Sequence, residues 1–319
     1  IFGLLRIINF AHGAQYMLGA ITAYLLLKYL GLGYWPSLVL APIIVGTTGL
    51  LLERVLLRHV YKMDHIYGLL LTFGLALLIE GLVRNYLGSA GLPYSAPDNL
   101  TGGINLGFVF LPIYRAWVIV FSLFVCIGTW YAIERTRLGA YLRAATENPA
   151  IVDAFGINVP RLISLTYAFG VGLAALAGVM AAPIYQVSPQ MGSTQIIIVF
   201  AVVVIGGMGS IGGAIISGFL LGLAEGLTKV FFPPASSTII FVIMAIVLLV
   251  RPAGLFGRNN ESESISADLG ETPPGLKLNG YVLTALLICA LIAPYVFYPM
   301  FLVKVLCLAL LASSVNLLL

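Results

Sequence analysis

The stretch TRLGAYLRAATENPAIVDAFGINVPRL, Thr136 to Leu162, is a long polar passage between two apolar runs, and it carries helix punctuation of its own. Asn148 can cap a helix whose first residue is Pro149, and Gly156 can end that helix after about two turns. A helix so short and so placed lies on a membrane surface. It offers little to lipid or to a core, but it gives a soluble partner something to push against.

The rest of the chain supplies the membrane. Of its 319 residues 61% are hydrophobic and 9% charged, with a mean hydropathy of +1.06, outside the range of soluble domains. Length therefore counts spans, each needing about 20 apolar residues. The net charge of +4 reflects topology rather than a nucleic-acid partner. Cys126, Cys289 and Cys307 sit inside apolar runs without paired spacing, so they read as core thiols, with neither a disulfide framework nor a metal site indicated. A start at Ile1, with no cleavable leader pattern after it, and an end inside an apolar run at Leu319 read as a fragment of a longer product.

Apolar runs fall at Gly13 to Leu32, Trp35 to Leu52, Ile66 to Val83, Ala116 to Ile133, Leu162 to Ala182, Gln195 to Ile205, Ile211 to Val230, Thr238 to Val250, Gly280 to Tyr298 and Phe301 to Leu319. The expected fold is an all-α polytopic membrane protein, a bundle of about ten transmembrane or broken helices with the short surface helix attached. The runs near Gln195 and Thr238 are too short to cross simply and imply tilted, broken or protein-shielded helices. Alternating spans put the loops Glu53 to His65, Glu134 to Arg161 and Arg251 to Asn279 on one side, together with Arg54, Arg58, Arg135, Arg137, Arg143 and Arg161. The positive-inside rule makes that side cytoplasmic and leaves the Gly-, Pro- and Asn-containing loop Asn85 to Tyr114 outside. From Arg251 to Gly280 the chain is polar, acidic and rich in Gly and Pro, the composition of a solvated linker. The organisation read from this is a permease-like domain over 1–258, a cytoplasmic linker over 259–279, and the start of a second membrane domain over 280–319.

Polar residues at membrane depth mark the candidate sites. RIINFAHGAQYMLGA, Arg6 to Ala20, sets Asn9, His12, Gln15 and Tyr16 at the head of an apolar span, with 9, 12 and 16 at helical spacing. Such groups either line a cavity or bond between helices. Glu80 with Arg84 and Glu225 with Lys229 are acid-then-base pairs four residues apart, read as ion pairs near outer span ends, with a gate at the outer mouth as the alternative. GLLLTFGLALLIEG, Gly68 to Gly81, and IGGMGSIGGAIISGFLLG, Ile205 to Gly222, are glycine-rich within apolar surroundings. The GGMGSIGG run lacks the Lys-Ser/Thr ending of a phosphate loop. A tight turn between half-spans is its expected use, with unwound backbone open to cargo. No clustered acid, base or nucleophile suggests catalysis, no metal-ligand spacing appears, and no ATP-hydrolysing motif is present.

The stretches LLRIINFAHGAQYMLGA, LLLTFGLALLIEGLVRNYLG, AGLPYSAP, RAATENPAIVDAFGIN and VVVIGGMGSIGGAIISGFLLGLAE occur here in order. In these the chain resembles, from Ile1 to about Arg258, the LivH-type permeases of branched-chain amino-acid ABC importers; Tyr298 to Leu319 is similar to the opening of a LivM-type permease. The resemblance implies a multi-pass pore subunit of a bacterial inner membrane that binds no cofactor itself. It implies two cytoplasmic ATPase subunits that bind the ATP, a second, LivM-type permease fused or separate, and a periplasmic substrate-binding protein. It assigns Glu147, Asn148, Pro149, Asp153 and Gly156 to an ATPase-coupling helix, and sets Asn9, His12, Gly13, Gln15, Thr72 and Gly74 along the translocation path. Gly206 and Gly207 join that path through their turn. Urea or short amides are alternative cargoes of the same family, and an ion-coupled secondary transporter is a separate alternative.

Overall fold

The structure is a computed structural model and describes residues 9–61, 63, 65–105, 107, 110–207 and 209–257. The chain divides into two compact units, Ile1–Asn259 and Asn260–Leu319. The described residues all fall in the first. The expected spans beyond Gly280, the LivM-like start and most of the linker lie outside them.

The first unit is a helical bundle. α1 (Ala11–Leu30) leads to α2 (Tyr34–Leu52), which runs on through a π turn at Glu53–Leu57 to Val60. α3 (His65–Leu87) and α4 (Ile113–Glu134) flank the long loop, and α5 (Arg137–Glu147) and α6 (Pro149–Ala154) fill the polar passage. α7 (Val159–Ala181), α8 (Met191–Gly206), α9 (Ile211–Phe231) and α10 (Ile239–Val250) complete the described residues. Among them, five helices are long and apolar enough to cross a membrane, and α8 and α10 are shorter apolar helices. The α2 helix extends past Leu52 because ERVLLR contains no breaker, so the loop expected from Glu53 starts only after Val60.

Three departures from the expected fold are local. The outer loop carries a small antiparallel hairpin, β1 (Gly103–Asn105) with β2 (Phe110–Pro112), paired Gly103 to Pro112 and Asn105 to Phe110. Leu92 bridges to Val187, tying that loop to the far end of α7. The polar passage holds two helices rather than one.

α1 is the central helix. Ala11, Met17, Ala20 and Ala23 are inaccessible to solvent, as expected of a helix that is apolar on all sides. It approaches its neighbours through small residues. A methyl group at Gly13 would strike the Gly192 carbonyl of α8, and one at Gly178 of α7 would strike the Tyr16 carbonyl. Such close seams give membrane helices their packing contact where lipid supplies no hydrophobic drive. The end of the bundle beside the long loop is aromatic. The Tyr114 hydroxyl donates to the Met180 carbonyl at 2.8 Å and lies 3.1 Å from the Tyr34 hydroxyl, and Trp117 stacks on Phe121 at 4.9 Å.

α8 and α9 meet at the tight turn expected of GGMGSIGG, with Gly207 at φ +97°, a conformation that favours glycine. α9 is full-length, so the turn joins one short helix to one long one. The segment RPAGLFG, Arg251 to Gly257, is not free linker. The N–H groups of Leu255 and Phe256 bond the Ile205 and Gly206 carbonyls at 2.8 and 3.2 Å, satisfying the end of α8 that a helix leaves open.

Candidate functional site

The surface helix forms as its punctuation requires. Asn148 Oδ1 accepts the Ile151 N–H at 3.2 Å, Pro149 takes the first helical position, and Gly156 sits at φ +81°. Its inward residue, Val152, is buried with Ala145 of α5 and Val159 of α7, and Ile157, Leu162 and Ile163 pack around them. Its outward face is unusual for solvent: Ile151 is 55% and Phe155 81% exposed, beside the exposed Asp153 and Glu147. Arg143 braces the arm by donating to the Ile133 carbonyl at 2.8 Å and lying 3.6 Å from Glu134. The residues expected of a coupling helix therefore cluster on a small packed arm seated at the foot of α7.

Eight residues after Val159, the Tyr167 hydroxyl gathers the polar residues at the head of α1. Asn9 Nδ2 donates to it at 3.0 Å and Gln15 Nε2 at 2.8 Å, while Gln15 Oε1 meets His12 Nδ1 at 3.2 Å. Asn9 Oδ1 also accepts the Ala11 N–H at 3.0 Å. Asn9 and Gln15 are each 1% exposed, so these two are interhelical bonding groups. Tyr16 is not a member, because the helix begins only at Ala11 and the spacing counted from Asn9 does not hold. Thr72 of α3 joins by accepting the Phe10 N–H at 3.2 Å.

His12 also lines a cleft of about 780 Å³, bounded by Ser122 and Cys126 of α4, Val199 and Val202 of α8, the turn residues Gly207, Gly209 and Ser210, and Phe219 of α9. The cleft brings His12 and Gly207 together. It leaves Gly13 in the α1–α8 seam, Gly206 packed against Gly213 and Ser217 of α9, and Gly74 on a stretch of α3 with nothing near it. Cys126 is a half-buried cleft residue rather than a core thiol. Glu80–Arg84 and Glu225–Lys229 are ion pairs at 2.7 and 2.6 Å, with Arg84 and Lys229 largely exposed.

One functional candidate escapes the sequence. Glu53 is 1% exposed and its Oε2 accepts the Ser164 hydroxyl of α7 at 2.5 Å. The Tyr61 hydroxyl beside it is buried and turned toward that carboxylate, short of full hydrogen-bond geometry. Burial first, and then the Glu53 charge, push that hydroxyl well above its usual pKa. The signal available was the unbroken helical sequence past Leu52, which keeps the carboxylate in the helix instead of at a loop mouth.

A multi-pass bundle carrying a braced surface arm, a polar hub and an intramembrane cleft has the parts of a membrane permease. The sequence model of the family described as "Branched-chain amino acid transport system / permease component" matches residues 1–249, and the chain belongs to that family. It is 32% identical over 271 residues to the high-affinity branched-chain amino acid transport system permease protein BraD of Pseudomonas aeruginosa, covering 81% of this chain and 88% of that one. It is 30% identical to LivH of Salmonella typhimurium over the same shares. Similarity extends to LivM of Escherichia coli, 27% identical over 79% of this chain and 64% of that protein. No solved structure matches.

Proposed function

We propose that this chain is the pore subunit of an ATP-driven importer that takes up branched-chain amino acids across a bacterial inner membrane. A periplasmic binding protein delivers the cargo, and two cytoplasmic ATPase subunits bind and hydrolyse the ATP. The single observation that carries the reading is the arm. α6 offers Ile151, Phe155 and Asp153 to a soluble partner while its other side is fixed to α7, the helix that holds Tyr167 and the head of α1. Force on α6 reaches the membrane polar hub through one rigid element.

The cleft suits the cargo class. Its walls of Val199, Val202, Ile215 and Phe219 match an aliphatic side chain, and His12, Ser210 and the Gly207 backbone supply polar groups for the two charged termini. Similarity to both LivH and LivM proteins supports pairing with a second permease. The chain itself performs no catalysis and holds no cofactor or metal in this reading.

Reconstitution with the ATPases, the second permease and the binding protein tests it. ATP-dependent leucine uptake into proteoliposomes is the expected result. Uptake that persists without ATP and collapses with an ion gradient would make the chain a secondary transporter, and ATP-driven uptake of urea or short amides with leucine excluded would change the cargo.

A further inference from the structure

We propose that Glu53 is a positioning residue of the transport cycle that exchanges one hydrogen-bond partner, Ser164, for another, Tyr61, as α6 moves, so relaying the motion from α7 to α2 and the Tyr167 hub. The inference rests on the importer reading above and names the point where its force is passed between helices.

Three observations converge on the first turns of α7. Leu162 and Ile163 pack against the α6 arm, Ser164 bonds Glu53, and Tyr167 bonds Asn9 and Gln15. Arm, carboxylate and hub therefore touch one helix within six residues. Glu53 opens a π turn, a widening of the helix often found at functional positions. Around it Leu57, Val45, Val171 and Tyr61 form an apolar shell with Tyr167. A carboxylate in such a place is costly unless it stays hydrogen-bonded. Apolar packing alone would let α2 and α7 slide past each other; a charge-assisted bond at short range is either made or broken. Among the described residues no basic side chain forms an ion pair with Glu53; Ser164 donates to it in full hydrogen-bond geometry, and the Tyr61 hydroxyl faces it without reaching that geometry. The Tyr61 hydroxyl, already turned toward the carboxylate but short of full hydrogen-bond geometry, supplies the second donor. When Ser164 withdraws with α7, Tyr61 takes its place, and the carboxylate is never left unsatisfied.

The test uses the complete importer in proteoliposomes, with the native Cys126, which lines the cleft, as the reporter thiol in a Cys289→Ser, Cys307→Ser background. Labelling of that thiol by a methanethiosulfonate reagent is measured with and without ATP, alongside the thermal midpoint and, in the unmodified background, leucine uptake. Tyr61→Phe deletes a hydroxyl that faces Glu53 without a full hydrogen bond, so the thermal midpoint is expected to hold while the ATP-dependent change in labelling falls at least about fivefold. Glu53→Ala and Ser164→Ala are expected to lose the response as well, and Glu53→Gln, which keeps an acceptor oxygen, to retain part of it. An ATP response within about twofold of the parent in Tyr61→Phe overturns the proposal, as does a parent that shows no response at Cys126. A parent that responds to ATP and loses the response in Tyr61→Phe, yet takes up no leucine, removes the cargo reading and leaves the relay standing. Should Glu53→Ala fail to insert, Tyr61→Phe decides alone.

Discussion

The Leu255 N–H meets the Ile205 carbonyl at 2.8 Å, so a segment read from composition as the beginning of a linker closes the end of α8. Gly254 lies so close to Gly207 that a side chain on either would collide with the other's backbone or its surroundings. Truncation after Gly257 is therefore expected to leave the thermal midpoint of the first unit unchanged, whereas truncation after Arg251 lowers it. Leu255→Pro removes one donor and is expected to cost about 1–3 kcal/mol, the penalty of a buried unpaired carbonyl. Tryptophan fluorescence melts in detergent measure both.

Tyr167→Phe strips the acceptor from two buried amides at once. With Asn9 and Gln15 left as unpaired donors, a loss of about 1–3 kcal/mol per stranded group is expected. Chemical denaturation compares it with the parent. A midpoint that does not move would mean the amides find other partners and the hub is not a hub.

Two glycines of the expected passage make opposite predictions. Gly13→Ala drives a methyl into the Gly192 carbonyl and is expected to destabilise the bundle by about 1–3 kcal/mol through overpacking. Gly74→Ala meets nothing within 4 Å and is expected to insert and melt normally, so any change in its uptake rate reports directly on the passage.

The arm separates coupling from folding. Asp153 and Phe155 are exposed, and Asp153→Arg or Phe155→Ala is expected to leave insertion and melting intact while uncoupling uptake from ATP hydrolysis. Asn148→Ala removes the cap and is expected to loosen α6 by about 1 kcal/mol. Vesicle uptake measured against ATPase rate distinguishes these; unchanged uptake in Asp153→Arg would remove the arm from the mechanism.

The membrane helices were legible because about twenty mostly apolar residues leave few alternatives, and each described span lies within a few residues of its apolar run except α2, which runs eight residues past Leu52 to Val60. α6 was legible from Asn148, Pro149 and Gly156 alone. α5 was not, since Leu138, Leu142 and Ala145 form too thin a stripe to stand out from a polar passage. The outer hairpin has strands of three residues, below what alternation can reveal. Glu53 was hidden by the habit of reading a charge after an apolar run as the membrane edge, and Tyr167 by being one aromatic among many in a span. Their meeting depends on helices more than a hundred residues apart, which local pattern does not encode.

The outer end of α7 is pinned twice, by the Tyr114 bond at Met180 and by the Leu92–Val187 bridge. With 23 residues at 1.5 Å each, α7 is about 34 Å long. Held there, it would swing as a lever does about its fulcrum when α6 is pushed: a swing of about 5° would carry its opposite end through about 3 Å. That travel is greatest at Val159, where the arm is attached, and falls to about 2 Å at Ser164 and Tyr167, still enough to break a short hydrogen bond, whereas the aromatic end would scarcely stir.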